Sequence, residues 1–260
     1  MTLRACVINL GVATERMAVM ARQLDRLGFA WQRQEALTPD TLHPGPDDRY
    51  WQRWQRPLRT TEMALAASHR AAWSEVRDGP VLILEDDALL SPSLLDFYNH
   101  IEDMPGISHV SLETRGRKKL LERAPGLAWR MRQDRTGSAA YILWPSGARA
   151  LMDRMDQVAA PSDALIAETA MDSYQAVPAL AVQFDICVAY GINPPLDTVS
   201  HIDTVAKPPV PKRAGFRRRR ILAQLAMGLN AISHPRAIKL HVQPAPDLAE
   251  MAAFLDMRSG

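Results

Sequence analysis

Residues 81–87 read VLILEDD, four apolar residues in a row that run into three carboxylates. Gly79-Pro80 breaks the chain just before the run, so the segment has strand length and no room for a helix. A strand without polar alternation is buried on both faces and needs a layer of other elements above and below it. This one feature calls for a layered α/β domain, with Glu85, Asp86 and Asp87 at the carboxyl end of a central strand.

The flanking sequence supplies the layers. LRACVINL (3–10) is apolar and β-rich, and residues 13–28 place Met17, Met20, Leu24 and Leu27 at helical spacing, with Thr14 available as a cap and Gly28 as a stop. FAWQRQEAL (29–37) alternates as a second strand. The Pro- and Trp-rich residues 38–57 form a long loop, in which Tyr50, Trp51 and Trp54 either fold the loop onto the core or stack on a ligand ring. Residues 58–77 are predicted as a helix ended by Gly79-Pro80. Beyond the carboxylates, Ser91-Pro92 opens a further helix, residues 109–113, 127–131 and 138–144 have strand character, and 145–158 is helical. This order predicts a largely parallel sheet with helices on both faces and some antiparallel additions. The Pro-rich stretch around 194–211 divides a main domain, residues 1–205, from a basic linker and C-terminal helical appendage, residues 206–260.

At 260 residues and 47% hydrophobic, the chain has enough apolar side chains for one large core. Its two cysteines, Cys6 and Cys187, lie in apolar strand-like runs and form neither a disulfide framework nor a zinc spacing, which predicts a reduced, intracellular setting. The start of the chain imitates a signal peptide, but Asn9 interrupts the apolar stretch and an amphipathic helix follows, so it reads as a first strand. No run of about 18 apolar residues spans a membrane. The net charge of +2 conceals an asymmetry: residues 207–220, KPPVPKRAGFRRRR, hold seven basic residues and no acid, leaving the remainder net negative. The basic run lacks the interleaved aromatics of a nucleic-acid site, so no nucleic-acid partner is expected.

Ligands of open parallel sheets bind beyond the carboxyl ends of the strands, where Glu85, Asp86 and Asp87 sit. The triplet reads either as a solvated acidic cap before the helix at Ser91 or as the holder of a hard divalent cation, Mg²⁺ or Mn²⁺, whose shell substrate phosphates complete. Glu62 and His69, seven residues apart, project from one face of the 58–77 helix with Ser68 beside them. Alone they are an exposed Glu and a His packed near Trp73.

In combination the pieces form a pattern. Asn9, Leu10 and Arg16 follow the first strand; Glu62, Ser68 and His69 share a helix; Glu85, Asp86 and Asp87 end the next strand. GSAAYILWPSGARAL (137–151) and then Pro161 and Asp163 come after. In order and spacing, over about residues 3–165, this resembles glycosyltransferase family 25, the lipooligosaccharide and collagen galactosyltransferase group. Thr61, Ala64 and Leu65 stand where that family usually has glycines and a cysteine, and the Asp-Gly expected after residues 35–37 is missing. The resemblance implies a GT-A-type, Rossmann-like nucleotide-binding domain and an inverting hexosyl transfer, with UDP-galactose as donor and a cell-surface glycolipid such as lipopolysaccharide, or another glycan, as acceptor. It implies Mn²⁺ or Mg²⁺ on Asp87 and Glu85, donor contacts from Asn9, Leu10, Arg16, Glu62, Ser68, His69 and Asp86, and Asp163 as the base. Asp163 also reads as an ordinary helix cap. Two other readings stay open: a non-catalytic member of the fold that binds an anionic partner, and a metal-dependent nucleotide-sugar hydrolase. A glycolipid acceptor places the protein in the cytoplasm, peripheral on the inner face of the membrane. Residues 221–232 put Ile221, Leu222, Leu225, Leu229 and Ile232 near one helical face behind four arginines, to dock on an anionic surface or to cover the main domain.

Overall fold

The computed structural model describes residues 3–134, 137–196 and 214–256. From the N-terminus, β1 (Arg4–Asn9), α1 (Thr14–Leu27), β2 (Ala30–Glu35), α2 (Thr60–Ser74) and β3 (Val81–Glu85) form a βαβαβ unit. β4 (Ala88–Leu90), α3 (Leu94–Ile101), β5 (His109–Ser111), β6 (Lys119–Glu122), β7 (Ala128–Gln133) and β8 (Ala140–Leu143) follow. Then come α4 (Pro145–Gln157), α5 (Ser162–Glu168), β9 (Ser173–Ala176), β10 (Ala181–Gln183), α6 (Ala214–Ser233), β11 (Ala237–Leu240) and α7 (Leu248–Asp256).

Among the described residues the main sheet has nine strands in the order β11-β6-β7-β9-β5-β8-β3-β1-β2, and β4 pairs with β10 in a separate ribbon. The β2-β1-β3 end and the β5-β9 pair are parallel. The other five neighbouring pairs are antiparallel. Six of the nine strands therefore share one direction, and β7, β8 and β11 oppose it. The large, mostly parallel sheet expected from the sequence is present in strand direction, but its neighbours are more mixed than expected. A parallel neighbour needs a long crossover, whereas β6, β7 and β8 follow one another without an intervening helix.

Burial explains the strand sequences. Leu82, Ile83 and Leu84 of β3 have no solvent exposure, as an all-apolar central strand requires. β2, with Gln32, Arg33 and Gln34, is the polar edge. One core joins α1, α3 and α7 to one sheet face, with Val19, Met20, Leu24, Phe97 and Met251 against Val7, Leu82 and Leu84. The second joins α2 and α4 to the other, with Met63, Trp73, Leu151 and Met155 against Ile8, Ile83 and Tyr141. Helices thus cover both faces. α4 approaches so closely that a Cβ on Gly147 would lie 2.3 Å from the Ser108 carbonyl oxygen.

Several expectations shift in detail. Gly28, at φ 75°, ends α1 as expected, but Ala13 rather than Thr14 is the N-cap residue, without a side-chain cap. α2 stops at Ser74, ahead of Gly79-Pro80, where the Glu75 N–H bonds back to the Ala72 carbonyl and the Val76 N–H to that of Trp73 in i→i−3 turns. Cys187 lies in a 3-10 turn (Phe184–Tyr190), not a strand, and both cysteines are buried free thiols. Trp51 and Trp54 are buried, so the 38–57 loop folds onto the α2 side of the sheet.

The boundary expected at residues 205/206, with Lys207, Lys212 and Arg213 of the basic run, lies outside the described residues. The residues that follow are joined to the main sheet. β11 pairs antiparallel with β6, and Leu248, Met251 and Leu255 of α7 enter the α1-side core. Arg22 of α1 donates to the carbonyls of Phe254 and Leu255. Among the described residues no helix is long and apolar enough to cross a membrane.

Candidate active site

β1 lies between β2 and β3, and the chain leaves it by α1 to one side and reaches β3 through α2 on the other face. The carboxyl ends of β1 and β3 therefore flank a topological switch point, the usual ligand crevice of such sheets. An open cleft of about 690 Å³ lies there, within the size range of small-molecule sites. Eight of the ten residues singled out in the sequence line it: Leu10, Arg16, Glu62, Ser68, Glu85, Asp86, Asp87 and Asp163. Asn9 and His69 sit one layer behind and hold the carboxylates.

The three carboxylates have three different environments. Asp86 is neutralised. Arg16 Nη1 lies 3.0 Å from its Oδ1, and Asn9 Nδ2 donates to its Oδ2 at 2.6 Å. Asn9 is itself fixed by Arg33, which donates to its Oδ1 at 2.8 Å. Arg16, on the first turn of α1, therefore faces the cleft and not open solvent, with a side chain 17% exposed.

Glu85 is held by hydrogen bonds. His69 Nε2 is 3.2 Å from its Oε1, and Ser138 Oγ donates to the same oxygen at 2.8 Å. Behind it, Trp73 Nε1 donates to Tyr141 Oη at 2.7 Å, and that hydroxyl lies 2.9 Å from His69 Nδ1. With the Tyr141 oxygen accepting from Trp73, its proton is free for Nδ1. This order assigns His69 the tautomer in which Nε2–H donates to Glu85. Burial works to raise the Glu85 carboxyl, but the His69 and Ser138 bonds outweigh it and leave the group below the ordinary glutamate range.

Asp87 lacks comparable support. Gln183 Nε2 reaches its two oxygens at 3.2 and 3.3 Å, and among the described residues no cationic side chain pairs with it. Burial and the adjacent Glu85 charge push its carboxyl up to about 7. A buried, underneutralised carboxylate at a strand end is a place for an external cation. Among the described residues no three His, Cys, Asp or Glu side chains converge as a preformed metal cage.

The rim is cationic. Arg56 grips Glu62 with two bonds of 2.8 and 2.7 Å, and the Arg59 N–H donates to the same carboxylate at 2.8 Å. Burial raises the Glu62 carboxyl and these bonds, led by Arg56, lower it further, for a net depression. Both Glu62 oxygens are thus occupied in aiming Arg56. Ser68 accepts from the Leu37 N–H at 2.8 Å and donates to the Ala64 carbonyl at 2.7 Å, so it ties the loop after β2 to α2 and shapes the wall. Asp163 stands in the first turn of α5, after the N-cap residue Pro161. Its own oxygen accepts from the Ala164 N–H at 2.8 Å, and burial raises its carboxyl.

Sequence reasoning missed Arg115, Ser138, Gln183 and Asp185. Arg115 bonds Gln183 and pairs with Asp185 at 2.8 Å, bracing the amide that touches Asp87. Ser138 carried a signal, the GSAAYILW stretch: Gly137 adopts φ 114°, and a Cβ there would meet the Glu113 carboxylate at 2.6 Å, so only glycine lets the turn present Ser138. Gln183 and Asp185 carried none, because one ends a three-residue strand and the other lies in the 3-10 turn that follows it.

A family model described as glycosyltransferase family 25 (LPS biosynthesis protein) matches residues 3–166, more than half of the chain. No curated protein matches it.

Proposed function

The chain belongs to glycosyltransferase family 25 and is a glycosyltransferase, and from that premise we propose that it transfers a hexose from a nucleoside-diphosphate sugar, UDP-galactose in the first instance, to a cell-surface glycolipid such as lipopolysaccharide with inversion at the anomeric carbon. The observation that carries this reading is the unequal treatment of three adjacent carboxylates at a switch-point cleft: Asp86 paired, Glu85 hydrogen-bonded, and Asp87 buried with only the Gln183 amide against it among the described residues. Asp87, with Glu85, is the site proposed for Mn²⁺ or Mg²⁺. When bound, the ion supplies charge compensation for the departing nucleoside diphosphate.

The chain's own residues do the remaining work in this proposal. Arg16, Arg56 and Arg115 line the cleft around the carboxylates and supply donors for a diphosphate. Asn9 and Arg16 keep Asp86 aligned for hydroxyls of the donor, and His69 and Ser138 keep Glu85 ionised. Asp163, across the cleft on α5, is the proposed base. Its raised carboxyl is a better proton acceptor than an ordinary aspartate, as removing the acceptor hydroxyl's proton requires.

Incubation with a panel of UDP-, GDP- and CDP-sugars in the presence of Mn²⁺ tests the reading. The expected outcome is turnover of one donor, accelerated by a glycolipid acceptor and abolished by chelation. Donor cleavage that ignores the acceptor would replace transfer with hydrolysis.

A further inference from the structure

α6 packs on the body by one side and turns an apolar stripe away from it. Phe216 is buried, Arg219 Nη1 donates to the carbonyls of Gln52 and Trp54 at 2.8 Å, and Asn230 Nδ2 donates to the Arg132 carbonyl at 2.6 Å. At the α-helical repeat these three fall within about 60° of one another. Ile221, Leu225, Leu229 and Ile232 lie on the opposite side, with Leu222 at the edge of the row, and all five are 47–79% exposed. Five large apolar side chains in one exposed row are a contact surface rather than ordinary surface scatter.

The charge around the row names its occupant. Between Asp203 and Asp247 the chain has nine lysines and arginines and no acidic residue. Arg217, Arg218 and Arg220 are exposed in the first turns of α6, where cations oppose the helix dipole. Among the described residues only Arg219 of the four bonds to the body. Three cations that weaken their own helix beside an outward apolar stripe match an amphipathic helix lying in an anionic interface.

We propose that α6 docks the protein on an anionic lipid surface, with Ile221, Leu222, Leu225, Leu229 and Ile232 entering the headgroup region and Arg217, Arg218 and Arg220 meeting lipid phosphates. Its use in delivering a glycolipid acceptor rests on the transfer reading above; the docking itself does not. The link to the cleft is short. The 38–59 segment that Arg219 clasps also forms the cleft wall through Thr38, Pro39 and Arg56.

Sedimentation of the full chain with vesicles of phosphatidylglycerol and phosphatidylcholine, against phosphatidylcholine alone, tests this. Binding is expected to the anionic vesicles and to weaken as salt rises. Three charges near a leaflet predict about a hundredfold loss of partitioning in the triple variant Arg217→Ser, Arg218→Ser, Arg220→Ser. The double variant Leu225→Glu, Leu229→Glu is expected to lose binding at every salt concentration. Both variants should keep the wild-type circular dichroism spectrum and donor turnover with a soluble acceptor. Equal sedimentation of wild type and variants overturns the proposal. So does a wild type that ignores vesicles but elutes as a dimer which Leu225→Glu, Leu229→Glu converts to monomer, since the stripe would then join two copies. Vesicle binding without sugar transfer would overturn the transfer reading and leave the docking in place.

Discussion

Between about pH 4 and 7 the folded protein holds a proton on Asp87 that the unfolded chain has already released, since the folded carboxyl lies near 7 against an ordinary value of 3.8. In that window the native state binds more protons, so this group's contribution to stability falls as pH rises, and the penalty is complete above pH 7. Asp87→Asn is therefore expected to stabilise the metal-free protein at pH 8 by on the order of 2 to 4 kcal/mol while lowering turnover at least about a hundredfold. Mn²⁺ should raise the melting temperature of the wild type, increasingly as pH passes 7, and leave Asp87→Asn unmoved. Thermal melts with and without Mn²⁺ across pH 5 to 9 check both statements, and a wild type indifferent to Mn²⁺ would remove Asp87 from the metal role. Asp163→Asn retains the polar contact to Ala164 without basicity. The expected result is no loss of stability and a fall in kcat of about 10² to 10⁴, and near-normal turnover would make the residue structural.

At the scale of elements, α2 and β8 meet through the hydroxyl that His69 and Trp73 share. Tyr141→Phe leaves two buried groups short of a partner, for an expected loss of about 1–3 kcal/mol, and unlocks the His69 ring that steadies Glu85. Denaturant titration reads the first effect, and a turnover loss larger than the stability loss explains reads the second. β6, β5 and β9 are joined by Lys119, whose Nζ bonds Ser111, Gln175 and the Glu113 carbonyl and pairs with Asp134 at 2.7 Å, all buried. Lys119→Ala takes the cation out of a buried ion pair and is expected to cost about 3–5 kcal/mol. This half of the sheet was the least legible in the sequence. TRGRKKLLER (114–123) reads only as a basic segment, whereas Lys119 points inward and Leu120 and Leu121 are buried. A lysine whose partners lie 8 and 56 residues away leaves no local trace. The βαβαβ unit was legible because its signals are local: an all-apolar strand, helical spacing and a glycine stop. The same holds for the cleft. Residues at strand ends could be placed, but Gln183 and Arg115 could not, because a pairing of β4 with β10 across some ninety residues brings them in.

The whole molecule is closed by its C-terminal elements, although the sequence reads them as an appendage. Leu248, Met251 and Leu255 are buried, and each represents about 1.5–3 kcal/mol of burial. Truncation after Arg236, which removes β11 and α7, is expected to unfold the protein outright, as loss of the cooperative melt and of near-ultraviolet circular dichroism would show. A truncated chain that still melts cooperatively would restore the appendage. The insertion of late strands among early ones also has a temporal side. β9 lies between β5 and β7, β10 pairs with β4, and α7 packs on α1, so a chain growing from a ribosome has made Glu85, Asp86 and Asp87 long before it has made the elements that cover β4 and α1. During that interval the open edge of β4 and the bare apolar face of α1 are adhesive surfaces. The nascent chain is therefore expected to carry these surfaces bare until residues near 250 emerge, and co-expression with a chaperone that binds apolar segments is expected to raise its soluble yield, as the soluble fraction of the expressed protein would show.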